Sequence, residues 1–136
     1  MSDFFQTGAI ATLHRLGRMH LARMESELMD FSEETPIALV LPCHARELGT
    51  KALRGIIRQL RGVRYLKQII VGVDHASPRE WKRAKKIFSQ LPQGPELLWL
   101  NSPNMTRLYK KLDDADLTVG TPGKGRNVWT CFGYVL

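Results

Sequence analysis

A chain of 136 residues, 43% apolar and 24% charged with three Trp, has the size and composition of one globular domain, and at that length roughly two thirds of the extended surface is hidden on folding, enough for a core without disulfide or metal. Cys43 and Cys131 lie far apart with no Cys/His cluster, which excludes a zinc-finger or disulfide-framework protein; no run of about 18 apolar residues offers a membrane span and residues 1–30 hold no secretory apolar core, so a cytoplasmic location is expected. The net charge of +7 asks for an anionic partner, without choosing among nucleic acid, lipid headgroups and phosphorylated small molecules.

Ile10, Leu13, Leu16, Leu21, Met24, Leu28 and Phe31 recur at three- to five-residue steps, the apolar stripe of a helix that Gly17 bends or breaks. Ser32-Glu33-Glu34-Thr35-Pro36 is expected to end it, so residues 1–34 form a helical arm that either packs on the domain or contacts another part of a longer chain. Residues 35–136 then form an α/β domain. Ile37 to Leu41 is an unbroken apolar run, the mark of a strand covered on both faces in a parallel sheet. A helix is expected from about Glu47 to Leu60, with Leu48, Leu53, Ile56 and Ile57 on one side and Lys51, Arg54, Arg58 and Arg61 on the other. Gln68 to Val73 is β-branched and reads as the second strand.

Ser77, Pro78 and Glu80 supply a cap, a first-turn proline and an acidic first turn, opening a helix whose buried stripe is Trp81, Ala84, Ile87, Phe88 and Leu91. After the turn at Pro92 to Pro95, Glu96 to Leu100 forms a third strand. Strand, helix, strand, helix, strand is the right-handed βαβαβ unit of Rossmann-like, nucleotide-binding folds. A short helix from Met105 to about Leu112, a loop from Asp113 to Gly125 and an apolar helix starting near Arg126 complete the chain. The apolar last residues carry no stop signal, so the α/β domain is expected to be incomplete at Leu136.

Ligands of open α/β sheets bind beyond the carboxyl ends of the strands, where helix N-termini point at them. Three segments fall there. Pro42-Cys43-His44-Ala45-Arg46-Glu47 follows strand one, although Pro42 could simply end the strand and Glu47 simply start a helix. Asp74-His75-Ala76-Ser77 follows strand two, where a carboxylate can accept from a base or ribose while Ser77 caps the next helix. Gly120 to Asn127 precedes the last helix; glycine backbone NH groups, the helix dipole, Lys124 and Arg126 together suit a diphosphate, though Gly123-Lys124-Gly125 also fits an ordinary surface turn. Neither GxxxxGK[ST] nor GxGxxG is present. Asp113-Asp114-Ala115-Asp116 mimics a DxD metal motif but follows Lys110-Lys111 and precedes a loop, as a solvated helix end does. His14, His20, His44 and His75 share no metal-ligand spacing.

These segments, in this order, resemble the retaining GT-A glycosyltransferases of the glucosyl-3-phosphoglycerate synthase and mannosylglycerate synthase type, from about Pro36 to Leu136. Pro42 to Glu47 is similar to the family's Pro-x-x-x-Glu-Glu loop, with Arg46 in place of the first acid; Asp74-His75-Ala76-Ser77 keeps the Asp and last Ser of its Asp-Ser-Gly-Ser; Gly123-Lys124-Gly125 ahead of Asn127-Val128-Trp129 matches its Gly-Lys-Gly. The resemblance implies a UDP- or GDP-hexose donor, with Pro42, Cys43, His44, Glu47 and Asp74 holding base and ribose, Ser77 assisting at the base, and Gly123 and Lys124 at the diphosphate. It further implies transfer of a hexose to a small, phosphorylated or carboxylated acceptor, with Mg²⁺ or Mn²⁺ held by a DxD on a strand beyond Leu136. On that reading this chain is inactive by itself, and a homodimer is allowed.

A basic nucleic-acid-binding module is the rival, because between Arg46 and Lys86 twelve Lys and Arg face only Glu47, Asp74 and Glu80. No helix-turn-helix, RRM, KH or OB pattern and no interleaved exposed aromatics accompany that charge, which disfavours nucleic acid. A nucleotide-binding domain without catalytic activity is the third alternative.

Overall fold

The structure, a computed structural model, describes residues 21–135. Its elements are α1 (Leu21–Glu34), β1 (Ile37–His44), a 3-10 turn (Ala45–Glu47), α2 (Lys51–Leu60), β2 (Leu66–Asp74), α3 (Pro78–Phe88), β3 (Glu96–Trp99), α4 (Pro103–Asp113) and α5 (Lys124–Val135). The three strands form one parallel sheet in the order β1-β2-β3, as the βαβαβ pattern predicts. No described helix is long and apolar enough to cross a membrane.

β2 is the central strand, and Ile69, Ile70, Val71 and Val73 are wholly buried in it. Side chains alternate across the sheet. One face gathers Leu39, Leu41 and Cys43 of β1, Ile69, Val71 and Val73 of β2, and Leu97 and Trp99 of β3 against Leu53 and Ile57 of α2 and Ala84 and Phe88 of α3. α5 packs on the opposite face, against β1 and β2. There Gly72 makes the contact possible: a Cβ at this position would run into Asn127 and Cys131 of α5. Asn127 Nδ2 donates to the Gly72 carbonyl at 2.8 Å, and Thr130 and Tyr109 share a 3.0 Å hydroxyl hydrogen bond that ties α5 to α4.

Several boundaries differ from the sequence-based expectation. β1 continues past Leu41 through Pro42 and Cys43 to His44. Proline is tolerated because β1 lies at an edge of the sheet, where a missing NH need not cost a ladder bond. α2 begins at Lys51, not Glu47: Glu47 closes a capping box on the 3-10 turn, and Thr50 caps α2 by accepting from the Leu53 NH. α4 opens at Pro103 behind the cap Ser102, and α5 opens at Lys124 rather than Arg126. The acidic stretch at Asp113 is a helix end, with Asp114 as C-cap and Asp116 at a positive φ of 59°.

The described part of the arm is helical up to its expected end. α1 runs through Ser32 and Glu33 to Glu34, and none of its residues is buried; Leu21, Met24 and Phe31 are exposed. Ile10, Leu13, Leu16 and Gly17 of its expected first half, with His14 and His20, lie outside the described residues, as does Leu136.

Candidate functional site

The register between β1 and β2 places His44 opposite Asp74 at the carboxyl ends of both strands. The N-terminus of α5 arrives at the same edge. Pro42, Cys43, His44, Arg46 and Glu47 from the first segment, Asp74 and His75 from the second, and Gly123, Lys124 and Asn127 from the third line one cleft of about 430 Å³. That volume lies within the roughly 300–1,000 Å³ span of small-molecule sites. Seven of the eight residues singled out in the sequence, all except Ser77, thus border one concavity.

The cleft floor is held by a dense set of local bonds. Asp74 is 6% exposed; its Oδ1 accepts from the His75 NH at 2.8 Å and its Oδ2 lies 3.3 Å from His75 Nδ1. His75 takes a positive φ of 55°, a conformation that a non-glycine residue adopts at a cost of order 1 kcal/mol or more. The carboxylate that grips its NH and ring holds it there. His75 then stacks on His44 with ring centroids 4.7 Å apart and planes 6° from parallel. His44 Nδ1 accepts from the Arg46 NH at 3.2 Å, while the His44 NH donates to Glu47 Oε2 at 2.9 Å. Glu47 and Arg46 therefore shape the turn at the mouth of β1.

Lys124 stands exposed in the first turn of α5, where its charge adds to the positive end of the helix dipole. Among the described residues the one Lys or Arg paired with a carboxylate is Arg23, with Glu27, so Lys124 faces the cleft without a carboxylate partner. Cys43 borders the cleft with its thiol withdrawn: burial, reinforced by Glu47, pushes its pKa up to about 11, and it is 2% exposed. It is a neutral wall of the site rather than a nucleophile. Among the described residues no three His, Cys, Asp or Glu come together as a metal-holding group.

Two expected contributors sit elsewhere. The Ser77 hydroxyl is committed to α3: it accepts from the Glu80 NH at 3.3 Å and donates to Glu80 Oε2 at 2.7 Å, and the residue is outside the cleft lining. Arg126 lies over the Tyr109 ring, 4.4 Å from its centroid, so of the two basic residues in the glycine loop Lys124 alone borders the cleft. Arg46, His75 and Asn127, which the three sequence segments already contain, also join the lining. A signal for Asn127 existed in the sequence. Gly72 interrupts an otherwise β-branched strand, and a glycine there marks a close approach of another element.

No family model matches the chain, and no solved structure matches it. Among curated proteins, a glucosyl-3-phosphoglycerate synthase of Persephonella marina is 40% identical over 136 residues, which is all of this chain and 34% of that protein. A second, from Methanococcoides burtonii, is 23% identical over 133 residues, 96% of this chain and 32% of that protein. The resemblance carried by the three short segments is thereby borne out: the chain is similar along its whole length to glucosyl-3-phosphoglycerate synthases and spans about a third of the length of these relatives.

Proposed function

We propose that the chain is the donor-binding region of a glycosyltransferase that moves a hexose from a nucleoside-diphosphate sugar to a small acceptor. The observation that carries this reading is the meeting of three separate loops at one cleft on the carboxyl edge of a parallel sheet. Relatives named glucosyl-3-phosphoglycerate synthase support the reaction class, with glucose as the sugar and a phosphorylated three-carbon acid as the acceptor. The β1 loop and Asp74 hold the base and ribose; Lys124, at the N-terminus of α5, sits beside the diphosphate.

In the transfer, the bond from the anomeric carbon to the diphosphate oxygen breaks with its electron pair going to the diphosphate. The acceptor oxygen bonds the same carbon, and its proton passes to the departing diphosphate or to solvent. Negative charge grows on the departing UDP or GDP, and a fixed ammonium and helix dipole there stabilise that growth. Among the described residues no three His, Cys, Asp or Glu gather as a metal-holding group; a Mg²⁺ or Mn²⁺ ion bound beside the diphosphate would share this task. Its added charge would further stabilise the leaving diphosphate.

Calorimetric titration with UDP and GDP, with and without Mn²⁺, tests the reading. Saturable binding of at least one of them is expected from the chain as it stands. Lys124→Ala should weaken the diphosphate by about tenfold, the scale of a lost charge-assisted hydrogen bond, and leave the nucleoside nearly unchanged. Heat from no nucleoside diphosphate, or equal losses for diphosphate and nucleoside, would overturn it.

A further inference from the structure

A second concavity, of about 360 Å³, lies between α2 and α3, away from the cleft, and is bordered by Arg54, Arg58, Arg61 and Arg83. We propose that it is a binding site for a small anion bearing two or more phosphate groups. Arg54, Arg58 and Arg61 follow one another along α2 at steps of four and three residues, so they share one helix face over roughly 10 Å of rise. None of the four has a carboxylate partner among the described residues. Four guanidinium groups around one cavity repel one another unless an anion enters, and their planar forks match phosphate oxygens.

The two ends of the row are positioned rather than loose. Arg61 donates from Nε to the Gln90 carbonyl at 3.2 Å and from Nη2 to Gln90 Oε1 at 2.6 Å, which pins it to the end of α3. At the other end Arg83 lies across Gly49: a methyl group there would fall 2.6 Å from Arg83 Nη2. The absent side chain of Gly49 is what lets this guanidinium settle beside Thr50 and the N-terminus of α2, whose dipole also favours an anion. Nucleic acid is the less suited occupant. The lining contains no aromatic side chain on which a base could stack, and Leu53, Ile57 and Ile87 close its floor.

Inorganic tripolyphosphate, titrated calorimetrically into the full chain, is the probe. Arg58→Ala and Arg83→Ala should each weaken it by about tenfold. Gly49→Ala keeps every charge and displaces only the flexible end of Arg83; a loss of about threefold or more is expected from misplacing one fork. Lys124→Ala, which alters the cleft, should leave the tripolyphosphate binding event that Arg58→Ala and Arg83→Ala weaken within about twofold in affinity, the ordinary scatter of a distant, uncoupled substitution. Three results would overturn the proposal: arginine variants that bind as the parent does, binding abolished by Lys124→Ala alone, or a twenty-nucleotide single strand that displaces tripolyphosphate at equal phosphate concentration. Loss of nucleotide binding to the cleft with tripolyphosphate binding intact would count against the function proposed above and leave this site standing.

Discussion

The two faces of the sheet are closed by different chemistry. On the α2/α3 face, aliphatic side chains from three strands meet Leu53, Ile57, Ala84 and Phe88 with almost no polar atoms among them. On the α5 face the contact runs through a bare backbone at Gly72, the Asn127 amide, the Cys131 thiol and the Tyr109–Thr130 hydroxyl pair. Apolar burial is strong and tolerant of small displacements, whereas a buried hydrogen bond demands a particular position. The first face therefore holds the fold, and the second sets where Gly123 and Lys124 stand relative to Asp74.

Phe88→Ala breaks the first face. Phe88 is wholly buried, so a loss of about 3–5 kcal/mol of stability is expected in denaturant unfolding. Gly72→Ala attacks the second. Its methyl group must push Asn127 and Cys131 away, and overpacking of this kind costs about 1–3 kcal/mol. The contrast is sharper in binding than in stability: Gly72→Ala should weaken nucleoside diphosphates more than Phe88→Ala does under conditions where both variants remain folded. Equal binding by the two would show that the faces are not divided in this way.

A smaller effect concerns α3, whose cap is polar although its body lies on the apolar face. Ser77→Ala removes the cap and should cost about 1 kcal/mol in the same unfolding assay. Hydrogen bonds from the Ser77 hydroxyl, then its backbone NH, hold Glu80 below its ordinary pKa of 4.5. A carboxyl lowered in the folded state stabilises fully above its unfolded pKa, and that contribution fades as pH falls through the lowered folded value. Glu80→Gln should accordingly flatten the acid limb of stability measured below about pH 5, since the pKa of a free Glu lies near 4.3. An acid limb identical in both proteins would remove Glu80 from the cap.

How far the sequence could be read follows the same division. The buried stripe of α3 and the β-branched run of β2 were legible because apolar periodicity reports burial directly. The start of α2 was not: Glu47 looks like a helix-opening acid, yet its carboxylate turns back to the His44 NH and Thr50 supplies the true cap. The pattern in α1 was legible as a helix but not as a buried one, since periodicity says which side is apolar and nothing about what covers it. At the site, strand ends placed the three segments on one edge. Side-chain commitments such as Ser77 to Glu80 and Arg126 to Tyr109 depend on rotamers and neighbours that no spacing encodes. The covalent neighbours Asp74 and His75 hid the strained backbone for the same reason.

The central claim is that Pro42 to Glu47, Asp74 with His75, and Gly123 to Asn127 act as one nucleotide-binding edge. Amide chemical shifts recorded while UDP or GDP is added test it most directly. The account predicts that resonances from all three segments move together along one saturation curve, and that Arg58→Ala in the α2/α3 groove leaves that curve in place. Movement confined to one segment, or concentrated at Arg58 and Arg83, would contradict it.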